Sequence, residues 1–135
     1  MTGTASNPVR TFSVLLADGH EAYRDGLARA VAAHPRLELA AEAADGRRAL
    51  ELLLELEPDI GILEVRMPQL DGLEVCDILA GLDRPLSSKL VLISGEANQT
   101  LAAAASEMGL DAVLSKDSTR HQLCDRIVEI CERSI

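Results

Sequence analysis

Apolar residues in this chain fall into short continuous runs separated by stretches of helical spacing, and the two patterns alternate five times. Ser13-Val14-Leu15-Leu16-Ala17 is the first run, halted by Asp18-Gly19, as a strand buried on both faces should look. Residues 21–33 then place Ala22, Leu27, Ala30 and Val31 at helical spacing. The helix is expected to stop at His34-Pro35, because proline cannot supply the next backbone N–H. Residues 37–43 read as a second strand. Asp45 is positioned to cap a second helix carrying Ala49, Leu50, Leu53, Leu54 and Leu56, ended by Pro58.

The alternation continues to the C-terminus. Residues 60–63 predict a third strand, and 73–82 a third helix with Val75, Cys76, Ile78 and Leu79 inward, closed by Gly81 and Pro85. A fourth strand over 90–93 ends at Ser94-Gly95, and a fourth helix over 99–108 ends at Gly109. The fifth strand, 112–114, ends at Ser115-Lys116, and Ser118 or Thr119 can cap a final helix running through Arg133. Leu123, Cys124, Ile127, Val128, Ile130 and Cys131 on that helix make an apolar arc wider than one sheet face needs. Two readings stay open: broad packing by a terminal helix, or a homodimer interface through Leu123, Ile127, Val128 and Cys131. Five strands alternating with five helices on short connections imply right-handed crossovers, an α/β fold and a parallel sheet covered on both faces.

Composition narrows the function classes. A length of 135 residues suits one domain, and residues 12–135 are assigned to it, with 1–11 as a flexible N-terminal tail. One Phe, one Tyr and no Trp force an aliphatic core, and a net charge of −9 argues against this domain gripping nucleic acid by itself. Cys76, Cys124 and Cys131 lack paired metal-ligand spacing and read as reduced thiols. Residues 1–10 lack the apolar stretch of a secretory signal and no run reaches membrane-spanning length, so a cytoplasmic chain without membrane contact is expected.

In a parallel sheet every strand's carboxyl end faces one rim, where open α/β proteins bind ligands. Asp18, Glu64, Ser94 and Lys116 are therefore expected to converge there. Glu64, at the end of a buried strand and before Met67-Pro68, is the unusual member of the set.

Five stretches carry a resemblance, in order: Leu15-Leu16-Ala17-Asp18-Gly19-His20, Arg24-Asp25-Gly26-Leu27, residues 66–72 (Arg-Met-Pro-Gln-Leu-Asp-Gly), Val91-Leu92-Ile93-Ser94-Gly95, and Val113-Leu114-Ser115-Lys116-Asp117. Together they resemble a response-regulator receiver domain of the NarL/FixJ type over about residues 12–133. The resemblance implies a flavodoxin-like (βα)5 fold with strand order 2-1-3-4-5. It also implies a phosphoryl-transfer switch in which a strand-end aspartate takes phosphate from a histidine kinase while an acidic pair holds Mg2+. By the same resemblance Asp18 matches the first of that pair, Ser94 the switch hydroxyl, and Lys116 the lysine that contacts the phosphoryl group.

Three positions depart from the pattern, and all three touch one mechanism. The phosphoacceptor position holds Glu64, the second acidic position is Gly19, and the aromatic switch position is Val113. Mg2+ wants near-octahedral oxygen ligation, so its binding is expected to be weak or absent. The extra methylene of Glu64 misplaces the acceptor, and an error near 1 Å costs ~100-fold in rate. The expectation is an atypical receiver of a transcriptional regulator, not an enzyme, acting without ordinary aspartate phosphorylation as a signalling and dimerisation module. Glu64 either imitates a phosphorylated aspartate against Lys116 and Ser94 or forms a structural ion pair with Lys116, and Asp18 serves as an acidic-cleft residue or as a loop cap.

Other classes lack residues. His20 is read as a surface or capping residue, no glycine-rich phosphate loop follows the first strand, and Asp18-Gly19-His20-Glu21 completes no phosphatase nucleophile loop. Two alternatives remain, a small-molecule sensor using the rim and a residual Mg2+-dependent phosphorylatable switch. Expected partners are a second copy of the chain, a histidine kinase or a small ligand. DNA is expected only through a C-terminal helix-turn-helix domain that this chain does not contain.

Overall fold

A computed structural model of the chain describes residues 10–133, so most of the tail expected over residues 1–11 lies outside the described residues, as do residues 134 and 135. The strands are β1 (Phe12–Ala17), β2 (Leu37–Ala43), β3 (Ile60–Glu64), β4 (Lys89–Ser94) and β5 (Ala112–Ser115). They alternate with α1 (Glu21–Ala33), α2 (Gly46–Leu56), α3 (Gly72–Ala80), α4 (Gln99–Glu107) and α5 (Arg120–Glu132). All pairings are parallel and the strand order is β2-β1-β3-β4-β5. This is the order implied by the resemblance.

Local chemistry sets the helix starts. Asp45 accepts from the Arg48 N–H at 2.8 Å to open α2, and Asn98 accepts from the Leu101 N–H at 2.9 Å to open α4. Asp71 with Glu74, and Thr119 with Gln122, close reciprocal capping boxes on α3 and α5. Glu57 ends α2 in the left-handed region, φ 40°, directly before Pro58. The capping box starts α3 at Gly72, one residue before the sequence reading, and Gly81 ends it two residues sooner.

Alternate strand residues feed two cores, which is why the central strands read as unbroken apolar runs. Leu16, Ile62 and Ile93 face Leu27 and Val31 of α1 and Leu123 and Ile127 of α5. Leu15, Leu63 and Leu92 face Leu53 of α2, Val75 and Leu79 of α3 and Ala105 of α4. Cys76, Cys124 and Cys131 are buried among these helices. Among the described residues no helix is long and apolar enough to cross a membrane.

Ile78, read as inward, is exposed, and so are Ala22, Leu54 and Leu56 of the helical patterns. Leu52 of α2 and Ala28 of α1 are buried instead. An apolar residue marks a face only when enough neighbours share it, and runs such as Leu52-Leu53-Leu54 give no phase. The apolar arc of α5 faces inward. Leu123, Ile127, Val128 and Cys131 are only 2%, 0%, 8% and 2% exposed in the single chain. Helix α5 packs on the sheet and on α1 together, so the wide arc is covered within the single chain.

Candidate functional site

The loop after β1 is folded back on itself by Asp18. Its N–H donates to the Ala43 carbonyl at 3.0 Å, its Oδ1 accepts from the His20 N–H at 2.7 Å, and its carbonyl accepts from Arg24 Nη1 at 2.7 Å. These bonds turn the Gly19 N–H toward β3, where it donates to Glu64 Oε1 at 3.0 Å. On the far side, the Lys116 N–H donates to the Ser94 carbonyl at 3.0 Å, continuing the β4–β5 ladder one residue and bringing the lysine over the rim.

Asp18, Glu64 and Lys116 meet at the centre of the rim. Lys116 Nζ donates to Glu64 Oε2 at 2.6 Å and forms an ion pair with Asp18 Oδ2 at 2.7 Å that lies outside hydrogen-bond angles. Both carboxylate residues are only 4% exposed. Two desolvated like charges are tolerated because one ammonium neutralises part of each. Burial pulls the Lys116 ammonium toward a lower pKa, but the bonds and charges of Asp18 and Glu64 outweigh it, and its pKa is raised.

His20, the exposed residue at the N-cap position of α1, also belongs to the cluster. Its Nδ1 lies 3.1 Å from Glu64 Oε2, 3.4 Å from Asp18 Oδ1 and 3.4 Å from Lys116 Nζ. Tyr23, one turn into α1, was not singled out by sequence at all. Lys116 Nζ sits 4.5 Å from its ring centroid and the Arg120 guanidinium 5.1 Å. Burial pushes the Tyr23 hydroxyl up in pKa while those two cations pull against it. The available signal was that this is the sole Tyr of an aromatic-poor chain, three residues after His20.

Ser94 lines a cavity of about 180 Å3 with His20, Glu64, Arg66, Gly95, Glu96 and Lys116. Its hydroxyl accepts from the Glu96 N–H at 2.9 Å rather than reaching Glu64. Arg66 and Glu96 pair at 3.6 Å, both largely exposed. Val113 is turned to the other face, in the core shared with α2, α3 and α4.

The donor set does not fit Mg2+. Oxygens of Asp18 and Glu64 and a nitrogen of His20 lie within 4.8 Å of one another, but Mg2+ requires oxygen ligands in near-octahedral array. The Lys116 ammonium already engages both carboxylates, and Gly19 contributes only its N–H.

Residues 14–128 match the response regulator receiver domain. The chain belongs to that family. The receiver is 31% identical over 116 residues to the transcriptional regulatory protein NarL of Mycobacterium tuberculosis, covering 86% of this chain and 53% of that protein. It is also 31% identical over 105 residues to the nitrate/nitrite response regulator protein NarL of Escherichia coli K12, covering 78% and 48%. Among solved structures, the signal receiver domain of the response regulator NarL from Mycobacterium tuberculosis superposes with a TM-score of 0.84 at 29% identity, covering 91% of this chain and 98% of that one. The receiver thus spans about half the length of these curated relatives. A protein-glutamate methylesterase/protein-glutamine glutaminase of Anaeromyxobacter dehalogenans matches as well, 39% identical over 117 residues, covering 84% of this chain and 33% of that protein. Receivers of this kind therefore occur in both regulators and enzymes.

Proposed function

We propose that this receiver serves a NarL-type transcriptional regulator and works from a fixed, internally ion-paired pocket, without ordinary aspartate phosphorylation. The observation that carries the reading is the Lys116 ammonium held 2.6 Å from Glu64 Oε2 and 2.7 Å from Asp18 Oδ2. The resemblance assigns the lysine to the phosphoryl group. Here the longer Glu64 side chain reaches Lys116 unaided, and no divalent ion is needed to hold the two carboxylates together. The pocket then has one dominant arrangement, and the domain presents one surface whatever its kinase does.

The NarL relative of Mycobacterium tuberculosis, named a transcriptional regulatory protein, supports this reading, and DNA contact would belong to a helix-turn-helix part rather than to this receiver. The acidic charge of −9 supports that division, since this part alone repels a phosphate backbone. The regulator would act in the cytoplasm, alongside a histidine kinase that contributes docking rather than phosphate.

The test is incubation with acetyl phosphate and Mg2+ followed by intact mass measurement. An unmodified chain is expected. Stoichiometric gain of one phosphoryl group would overturn the proposal in favour of a Mg2+-dependent switch.

A further inference from the structure

We propose that Tyr23 is a positioning residue for Lys116, and that α1 thereby supplies the aromatic surface on which the pocket's cation rests. The inference rests on the reading above that Lys116 is the working cation of this pocket. The neighbours of the ammonium are Glu64 Oε2 at 2.6 Å, Asp18 Oδ2 at 2.7 Å, His20 Nδ1 at 3.4 Å and the Tyr23 ring centroid at 4.5 Å. The carboxylates, each held by a backbone N–H, neutralise its charge. The aromatic face adds a further attraction, since its negative quadrupole draws a cation over the ring within about 6 Å. An aliphatic residue at position 23 would leave that side of a desolvated ammonium against hydrocarbon.

Three further features show that the ring is a prepared platform. The Tyr23 hydroxyl is buried and makes no hydrogen bond, so the ring, not the hydroxyl, engages the neighbours. Arg120, the first residue of α5, also stands over it, 5.1 Å from the centroid. Gly26, one turn after Tyr23, is what makes room for Arg120: a Cβ there would come 2.6 Å from Nη2 and 3.0 Å from Nε. Arg120 in turn lines the groove between α1 and α5 with Ala30, Ala33, His34 and Cys124. Residues from α1, the end of β5 and the start of α5 are thus stacked on one ring, with Val113 taking no part.

Lys89 and Lys116 are the lysines of the sequence, so lysine-selective isotope labelling yields two side-chain signals with Lys89 as an internal control. In the unmodified chain we expect NOEs between the Lys116 Cε protons and the Tyr23 ring, and a ring-current upfield shift that Lys89 lacks. Tyr23→Phe should keep both, together with the Lys116 titration midpoint. Tyr23→Leu should move the Lys116 signal toward that of Lys89 and change the midpoint. Absence of the NOEs in the unmodified chain overturns the proposal, and that measurement needs no variant to fold. An unchanged Lys116 signal in folded Tyr23→Leu overturns it equally. In Glu64→Gln the NOEs should persist, and their loss would show that Glu64 sets the position of the ammonium instead. A phosphoryl adduct in the acetyl phosphate experiment would sink the functional proposal while leaving Tyr23 as the support of Lys116.

Discussion

Lys116 and Glu64 approach to 2.6 Å across the strand-end rim, with Asp18 2.7 Å from the same ammonium. The consequences of removing each partner should be unequal. Lys116→Met leaves two buried carboxylates facing each other with no counter-charge, and we expect a loss of about 2–3 kcal/mol, at or below the low end for a broken buried pair because the lysine keeps some solvent contact. Glu64→Gln leaves Asp18 to hold the ammonium and retains an acceptor for the Gly19 N–H, so about 1 kcal/mol is expected. Urea denaturation of both variants checks the order. Equal stability of Lys116→Met and the unmodified chain would mean the pair is solvated and contributes nothing.

Alkali should weaken the fold before acid-side groups matter. Burial raises the Cys76 thiol from 9.0 to about 12, and burial followed by the Asp59 charge raises Cys131 from 9.0 to about 11. The Lys116 pKa is raised as well. In each case the folded chain holds its proton where the unfolded chain has released it. The associated stability is complete below the unfolded pKa and is lost as pH rises through the folded one. The urea midpoint should therefore begin to fall near pH 9 and keep falling toward pH 11–12. Cys76→Ala should flatten the first part of that decline, and Lys116→Met the part above its unfolded value of 10.5. A midpoint that is level up to pH 11 would exclude the thiol contribution.

What the sequence made legible follows from the range of the forces involved. Apolar runs cut by Asp18-Gly19, Pro58 and Ser94-Gly95 report burial and backbone geometry within a few residues, so strands, helices and the shared rim could be placed. The contact of Tyr23 with Lys116 joins residues 93 positions apart, and nothing local encodes which way either side chain turns. The burial of Val128 in a core with α1 is likewise set by how much of α5 its neighbours cover, which periodicity does not measure. His20 shows the same limit: the loop was legible, but its ring lands 3.1 Å from Glu64 only because Asp18 fixes the His20 N–H.

The burial of α5 has its own test. Leu123 is 2% exposed in the single chain, so Leu123→Ala should cost about 2–5 kcal/mol, the usual range for a large-to-small core change. Sedimentation at high protein concentration should give the same oligomeric state for variant and parent. A change of association with undiminished stability would favour the homodimer reading of this helix over broad packing.

Restoring two carboxylates should create the reaction that the native pocket lacks. Glu64→Asp withdraws the acceptor by one methylene, freeing it from Lys116, and Gly19→Asp adds an oxygen donor where only an N–H is present. Gly19 is not in the left-handed region, so a side chain is conformationally allowed. A Cβ there would lie 3.2 Å from Pro68 Cδ, which requires the proline to yield by a few tenths of an ångström but meets no backbone closer than the Ala44 carbonyl at 3.6 Å. With Asp18 already in place, the double variant offers Mg2+ the oxygen set it prefers. We expect it to take one phosphoryl group from acetyl phosphate in a Mg2+-dependent manner, and Glu64→Asp alone to react on the order of 100-fold more slowly, because a misplaced or missing ligand near the acceptor costs about that much. Intact mass against time, with and without Mg2+, separates the three chains. Equal labelling of the unmodified receiver would show that Glu64 and Gly19 are no barrier to phosphorylation.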